Sequence, residues 1–519
     1  MSLDAAQLEV IRQATIAVAE EMKFDLMRTA RSPVLREAGD LSCAITDASG
    51  RTVAQGQDIP MHLGVLSFTV QRLLETVPPE TLAPGDVYFT NLPACGGNHL
   101  PDVKAVRPVF ADGSLAAFAV ALAHWPDVGG ALPGSYVPFA REIHQEGLVI
   151  PPTRFFAADG PCEEALRLVL ANVRGAEQRR GDILAQVAAT SIAEERLRET
   201  FATHGVRPVH EAWERMQDES AERVRRVLSE LPDGTCEGED ALDDDGIGDE
   251  PVAIRVSVTI AGDRAVFDFR QSDPAAQGPV NTTPFIAAAS VAYVVRAVLG
   301  PEIASNDGLL RPLEILTEPG SLLDPGPDAA LVAGNHETSQ RIVDALLRAF
   351  AQVVPDRGVA GGMGSSGLAL FALGGDFLYE THAGGSGASA ERDGDAATRI
   401  HMSNVMNTPA EVIETEYALR VERHEVRAGS GGAGRRRGGD GLRRVYRVLA
   451  DEARLTTMVE RCRIAPWGFE GGADGEPSAV WLERDGVRQQ LRGKGTVELR
   501  RDDVVIVETA GGGGWGRRS

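Results

Sequence analysis

Two pairs of metal-ligand residue types stand at matched spacing in residues 91–130, and they constrain the fold more than any other feature. His99 and Asp102 form one H-x-x-D step, and His124 and Asp127 form a second, which a Gly-Gly turn follows. Turn residues accompany both steps. The spacing is typical of a mononuclear metal site that a hairpin assembles, although polar surface residues at turns would give the same pattern.

The segment between the two steps predicts an antiparallel hairpin. Strands are expected over 103–110 and 115–123, with an Ala-Asp-Gly turn between them. Because paired strands lie only about 5 Å apart, such a hairpin brings His99, Asp102 and His124 within reach of one ion. A divalent ion there would lower the pKa of a water or polarise a carbonyl.

Three further residues near the hairpin are candidates for the site. Asp127 is either a fourth ligand or the carboxylate that orients a histidine, and we favour the second role because the chain turns away after it. Glu146 is a candidate general base, with a solvated side chain as the alternative. Cys95 is either a soft ligand or a small buried hydrophobe.

Charge and cysteine content exclude several classes of protein. The chain has 52 lysines and arginines against 75 acids, a formal net charge of −23, which repels nucleic acid and anionic lipid. No run of 18 apolar residues occurs, so we expect no membrane span. Five scattered cysteines without a C-x-x-C predict a reducing, cytoplasmic location.

The pattern along the 519 residues predicts a multi-domain α+β protein. An amphipathic N-terminal helix, with Asp4 in a capping box, should end before Pro33. Antiparallel hairpins that carry the metal site follow, then a helical middle, and last a strand- and glycine-rich C-terminal part. We predict three regions. Residues 1–235 form a metal-site region with a helical segment, 250–425 a central α+β region, and 426–519 a C-terminal β/Gly-rich region. The acidic, turn-rich run between the first two is the predicted boundary.

The chain lacks the usual signatures of nucleotide binding and of serine hydrolases. Neither G-x-x-x-x-G-K-[ST] nor a well-placed G-x-G-x-x-G occurs, and G-x-S-x-G is missing. Arg435, Arg436 and Arg437 lie among glycines at 429–441, where they either bind a phosphate or a partner's acidic edge or belong to a flexible surface loop.

Many separated motifs, in order, resemble those of the hydantoinase B/5-oxoprolinase family, whose members include subunits of ATP-dependent N-methylhydantoinase and of acetone and acetophenone carboxylases. The resemblance covers about residues 5–516 as one homology unit. The motifs that carry it include GDVYFTN at 85–91, GGNHLPDV at 96–103, HWPDVGG at 124–130, GNHETSQRIVDAL at 334–346, HMSNVMNTPAEVIE at 401–414, SGGAGRRRGGDGL at 430–442 and GGGGWG at 511–516.

The resemblance implies the same three metal ligands, His99, Asp102 and His124. It implies manganese if the chain is like the carboxylases and zinc if it is like the lactam-opening members. It also implies a larger A-type subunit that binds ATP, which explains the missing nucleotide motif, in a hetero-oligomer such as α2β2. The family commonly has Asn-Asp-Pro where this chain has Asn91-Leu92-Pro93, so one family carboxylate is absent.

The sequence therefore predicts the metal-dependent B-type component of an ATP-dependent cyclic amidase, a hydrolase of ring C–N bonds in hydantoins, 5-oxoproline or lactams. One alternative is a subunit of an ATP-dependent ketone carboxylase. The other is a non-catalytic scaffold that stabilises an ATPase partner.

Overall fold

A seven-stranded antiparallel sheet organises the N-terminal region in the computed structural model, which describes residues 4–62, 64–97 and 99–518. The elements of this region are α1 (Ala5–Thr29), α2 (Pro33–Arg36), β1 (Leu41–Asp47), β2 (Thr52–Gln55), α3 (Val65–Thr76), β3 (Val87–Thr90), β4 (Asp102–Ala111), β5 (Ser114–His124), β6 (Thr153–Ala157) and β7 (Gly160–Pro161). The strand order is β2-β1-β5-β4-β3-β6-β7, which places the predicted metal hairpin, β4–β5, at the centre of the sheet. The hairpin prediction is confirmed.

The N-terminal helix forms as predicted and packs against the first sheet. The Asp4 side chain accepts a hydrogen bond from the Gln7 N–H at 2.7 Å, and the helix ends at Thr29, before Pro33. The side chains that recur every three or four residues, among them Ile11, Val18 and Met22, are buried.

Three helices complete the N-terminal half, α4 (Glu163–Leu170), α5 (Ala176–His204) and α6 (Val206–Ser229). Helix α5 lies against both strands of the metal hairpin. Its Gln186 donates hydrogen bonds at 2.9 Å to the carbonyls of Val103 and Ala121 and accepts one at 2.9 Å from the Trp125 indole. This buried amide fixes the helix to the strands beside the ligand positions.

The central region pairs a four-stranded sheet with two helices. Its elements are β8 (Gly234–Leu242), β9 (Val252–Ala261), β10 (Arg264–Asp268), α7 (Pro284–Val294), β11 (Leu313–Leu316) and α8 (Ser339–Val353). The strand order is β11-β10-β9-β8, with the β10–β11 pair parallel. The largest core takes Tyr136, Ile254 and Met458, one from each of the three predicted regions, and the division into regions stays a prediction.

The acidic run that we predicted as a boundary is built into the structure. Strand β8 occupies the first half of this run. Asp240 within the strand and Asp243 and Asp244 directly after it are buried. Asp240 binds both terminal nitrogens of Arg461, at 3.2 and 3.0 Å. Arg461 and Lys494 neutralise Asp240 and Asp244, and the domain boundary at this run stays a prediction.

The described chain from Leu368 onward contains two antiparallel sheets. Its elements are β12 (Leu368–Leu373), β13 (Asp376–Glu380), α9 (Ala410–Glu416), β14 (Leu419–Arg427), β15 (Gly441–Val448), β16 (Glu452–Met458), β17 (Ala479–Arg484), β18 (Val487–Gln490), β19 (Lys494–Arg500) and β20 (Val504–Glu508). The sheet orders are β13-β12-β16-β19 and β14-β15-β20-β17-β18.

The α+β prediction is confirmed. Among the described residues, no helix has both the length and the apolar composition that crossing a bilayer requires.

The glycine-rich segment at 511–516 hydrogen-bonds to several other glycine-rich segments of the chain. The Gly512 N–H donates to the Gly439 carbonyl, and the Gly432 N–H donates to the Gly512 carbonyl, both at 2.8 Å. The Gly513 N–H donates to the Gly361 carbonyl at 2.8 Å. Backbone approaches backbone at these points, which explains why several separate segments are rich in glycine.

The Arg-Arg-Arg stretch belongs to the same assembly. The guanidinium of Arg435 lies 4.6 Å from the centre of the Trp515 ring, and Arg436 exchanges two backbone hydrogen bonds with Trp515. Arg437 donates to the Asp440 carboxylate at 2.6 Å. The C-terminal segment thus contacts this exposed stretch, and the choice between a surface loop and a phosphate or partner site stays a prediction.

Candidate metal centre

The register of the metal hairpin brings its candidate ligands together. Asp102 begins β4 and lies directly opposite His124, which ends β5. His99 precedes the strand by one tight turn, in which the Asp102 N–H donates to the His99 carbonyl at 3.3 Å. Directly paired residues have Cβ atoms about 5 Å apart, so the hairpin alone accounts for this convergence.

The three side chains form a compact, buried donor set. Asp102 Oδ1 lies 3.0 Å from His99 Nε2 and 3.2 Å from His124 Nδ1, and one ligand atom from each residue lies within 4.8 Å of the others. Their exposed fractions are 2%, 3% and 1% for His99, Asp102 and His124. Two imidazoles and one carboxylate fit zinc or manganese, and the set leaves coordination positions for other groups.

A hydrogen bond outside the cluster fixes the orientation of His99. Its Nδ1 lies 3.3 Å from the Val332 carbonyl, which can only accept, so Nδ1 carries the proton. Nε2 is then the unprotonated nitrogen; it faces Asp102 and accepts a hydrogen bond from the Asn335 amide at 3.1 Å. This is the usual way in which proteins orient a metal-ligating histidine.

Residues that the sequence analysis missed surround the second oxygen of Asp102. His62 Nε2 lies 3.4 Å from Asp102 Oδ2, and the other ring nitrogen of His62 lies 2.7 Å from Ser42 Oγ. The Asn335 amide donates to the same Oδ2 at 3.1 Å. Asn335 belongs to the GNHETSQ motif, so the only signal that pointed to it was the family resemblance.

The ionisation of the cluster suits a cation. Burial opposes the charge on Asp102, but His99 and the hydrogen bonds from His124 and His62 outweigh it, so the pKa of Asp102 is held well below its usual value. Burial lowers the pKa of His99, although Asp102 acts in the opposite direction. An ionised carboxylate beside an uncharged imidazole is the state in which both can bind a metal.

Asp127 does not have the predicted contact with a histidine. Its Oδ1 accepts from the N–H groups of Gly129 and Arg174, at 2.8 and 2.9 Å, and its Oδ2 accepts from the Gly134 N–H and the Arg174 guanidinium, at 2.9 and 3.0 Å. These bonds use both oxygens to shape the loop after β5. That loop ends in Tyr136, whose ring lies 6.2 Å from the His124 ring.

Glu146 is buried rather than solvated, and it contacts the backbone segment that faces His99. Its Oε1 accepts from the N–H groups of Leu331 and Val332, both at 2.8 Å, and the Val332 carbonyl faces His99. Burial raises the pKa of Glu146 to about 8 despite these bonds. The general-base role stays a prediction, while the observed geometry supports a positioning role.

The raised pKa of Glu146 predicts a pH-dependent stability. Between about pH 4.5 and 8 the folded chain keeps a proton that the unfolded chain has released, so stability falls as pH rises through this window. Glu146→Gln keeps an acceptor and has no proton to lose. Its free energy of unfolding relative to the wild type, measured by denaturant titration, should therefore rise between pH 5 and 8, by about 4 kcal/mol at most. Exposed Glu142→Gln is the control, and a difference independent of pH for Glu146→Gln would contradict the assignment.

Two tyrosines form an aromatic wall beside the ligands. The Tyr379 ring lies 4.8 Å from the His124 ring and 5.4 Å from the Tyr136 ring, and the Tyr136 hydroxyl donates to the Tyr379 hydroxyl at 3.4 Å. Cys95 is buried and lies outside the donor set that the described residues form. The two rings give the candidate metal centre one apolar face, and their hydroxyl groups are the polar atoms of that face.

The chain is similar to known proteins over nearly its whole length. The model of the hydantoinase B/oxoprolinase family matches residues 4–518. 5-Oxoprolinase 1 of Arabidopsis thaliana is 33% identical over 99% of this chain, which spans only 42% of that protein's length. The B-type component of a putative D-/L-hydantoinase from Pseudomonas sp. strain NS671 is 29% identical, over 94% of this chain and 85% of its own. The crystal structure of the ATP-dependent caprolactamase from Pseudomonas jessenii superposes with a TM-score of 0.91 at 28% identity, covering 100% of this chain and 92% of that one.

Proposed function

This chain belongs to the hydantoinase B/oxoprolinase family, and from that premise we propose that it is the ring-opening subunit of an ATP-dependent cyclic amidase. The observation that carries the proposal is the buried set of His99, Asp102 and His124 at the end of one hairpin. Relatives named for hydantoin, 5-oxoproline and caprolactam all act on cyclic amides. We therefore assign a cyclic amide as the substrate class.

The proposed chemistry divides between a metal and the residues of this chain. A zinc or manganese ion held by the three ligands supplies Lewis acidity toward a carbonyl or a water. Asp102 lowers the net charge of the site, while His62 and Asn335 hold its second oxygen in place. The depth of burial keeps bulk water away from the reacting carbonyl, which strengthens each of these interactions.

ATP is proposed to bind to a partner, an A-type subunit, rather than to this chain. The chain carries no phosphate-binding motif, and one relative is named as the B-type component of a hydantoinase. On the partner, the amide oxygen takes the terminal phosphoryl group of ATP and ADP leaves. A water oxygen then bonds to the carbonyl carbon, the ring C–N bond breaks and the nitrogen gains a proton, which leaves an acyl phosphate. A second water releases phosphate from it and completes the carboxylate. Phosphorylation is useful because an amide carbonyl is a poor electrophile.

The test is a reconstitution with the ATP-binding partner. We expect no ATP hydrolysis by this chain alone, and ring opening with matched ADP release when both proteins, ATP and one of 5-oxoproline, hydantoin or ε-caprolactam are present. Turnover of ATP by the pure chain would contradict the division of labour. Incorporation of labelled bicarbonate into a ketone, with no lactam opened, would favour the carboxylase alternative. Assembly without either reaction would favour the scaffold.

A further inference from the structure

A π-helical turn at Gly334–Thr338 places three consecutive polar side chains beside the metal centre. Asn335, His336 and Glu337 are 2%, 3% and 0% exposed. Three buried polar residues in a row are unusual, and π-turns occur often at functional sites. Asn335 already contacts Asp102, which leaves His336 and Glu337 without an assigned role.

Hydrogen bonds fix which nitrogen of His336 is free. Its Nδ1 lies 2.9 Å from Glu337 Oε1, and the same oxygen accepts the Ser366 N–H at 3.2 Å. Glu337 Oε1 is an acceptor for the Ser366 backbone amide. It therefore also accepts from the imidazole of His336, and Nδ1 of His336 is the donor. Nε2 is then a hydrogen-bond acceptor.

That acceptor is buried and has no partner among the described residues. The His336 ring lies 5.4 Å from the Tyr136 ring and 6.3 Å from the His99 ring, so it is a close neighbour of the candidate metal ligands. The Asn335 Oδ1 atom is also buried and, in the part of the chain that the structure describes, without a partner. An unsatisfied buried acceptor costs about 1–3 kcal/mol, so a ligand, an ion or an ordered water that donates to it is stabilised there.

We propose that His336 Nε2 accepts a hydrogen bond from the ring N–H of the substrate, and that Glu337 positions the imidazole for this contact. The proposal rests on the proposed function and narrows its substrate to cyclic amides with an unsubstituted nitrogen. The amide unit that is opened in such a ring offers one acceptor, its carbonyl, and one donor, its N–H. A metal at the three ligands suits the carbonyl, and the unpartnered acceptor of His336, whose ring lies 6.3 Å from the His99 ring, suits the N–H.

The size of the preference follows from general experience with buried polar sites. A site built to bond an N–H rejects the analogue that lacks it, because its own buried acceptor is then left unsatisfied. N-Methylation removes the donor and adds a group where the acceptor lies. We expect the N–H ring to bind or react roughly 100-fold better than its N-methyl counterpart.

The test compares paired rings on the wild-type protein and on His336 variants. The probes are 2-pyrrolidinone, ε-caprolactam and hydantoin with their N-methyl derivatives. Binding to the Mn²⁺-loaded chain is measured from the relaxation of ligand protons, and kcat and KM are measured in the reconstituted complex. The preference for the N–H ring should vanish in His336→Phe and persist in part in His336→Gln, which keeps an acceptor. Glu337→Leu should weaken the preference mainly through KM, and exposed His424→Gln should change nothing.

The outcomes separate this proposal from the function on which it rests. If lactams are opened but wild type and His336→Phe discriminate equally, the proposal is overturned and the function stands. Loss of Mn²⁺ from His336→Phe would also overturn it, because His336 would then be a ligand. If no ring binds and none is opened, both the proposal and the proposed function fail.

Discussion

Replacing His124 with alanine is expected to lower the proposed ATP-dependent ring opening by roughly a thousandfold or more, because the site loses one of its three proposed metal ligands. A Lewis acid supplies several kcal/mol of stabilisation to the transition state, and two remaining ligands hold an ion poorly. His124 ends β5, where its backbone N–H donates to the Asp40 carbonyl, and alanine preserves that bond. The fold and the assembly with the partner should therefore persist.

The matched control for this variant is His424→Ala, which removes an imidazole from the exposed strand β14. Ring opening is measured as product formed per ATP consumed, and assembly is measured by gel filtration of the mixture. Wild-type turnover by the His124 variant would rule out the metal mechanism. Loss of assembly instead of activity would assign His124 a structural role.

Replacing Gly512 with alanine is expected to destabilise the C-terminal region by at least about 3 kcal/mol, or to prevent it from folding. A Cβ at this position would overlap the carbonyl group of Ser386 and would lie 2.8 Å from the nitrogen of Gly387. These obstacles are backbone atoms, which cannot rotate away as a side chain can. The segments that hydrogen-bond to Gly512 would have to separate.

Gly495→Ala is the control for this substitution, since its Cβ would meet only the Arg492 side chain, at 3.9 Å. Its effect on the free energy of unfolding should stay within about 0.5 kcal/mol. Stability is measured from denaturant unfolding followed by tryptophan fluorescence, because Trp515 lies in the affected assembly. Equal stability of the two variants would show that this packing is looser than the structure indicates.

The metal hairpin could be predicted from the sequence because its information is local. The strand pattern, the turn and the two H-x-x-D steps lie within residues 91–130, and strand pairing then fixes the proximity of His99, Asp102 and His124. The N-terminal helix was predictable for the same reason, since period and cap are read from adjacent residues. Both predictions depend on geometry that a single segment determines.

The remaining part of the site could not be predicted because it comes from distant segments. His62 is 40 residues from Asp102, and Asn335 is 233 residues away. No periodicity or spacing relates such positions, and only tertiary packing brings them together. The same is true of His336, whose free nitrogen depends on contacts with Glu337 and Ser366.

The roles assigned to single carboxylates were the weakest predictions from sequence. Asp127 follows a histidine at ligand spacing, yet its oxygens bind backbone amides of its own loop and Arg174. Glu146 and Asp240 lie in polar stretches, yet both are buried because distant N–H groups or an arginine compensate them. The environment of a carboxylate, which the local sequence does not contain, decides its role.

Elemental analysis of the purified chain beside the His124→Ala variant tests the central claim most directly. The account predicts about one zinc or manganese per wild-type chain and a large loss of that metal in the variant, with His424→Ala unchanged. Equal metal content in the wild type and the His124 variant, or none in either after supplementation with both ions, would contradict the assignment of His99, Asp102 and His124 as a metal centre.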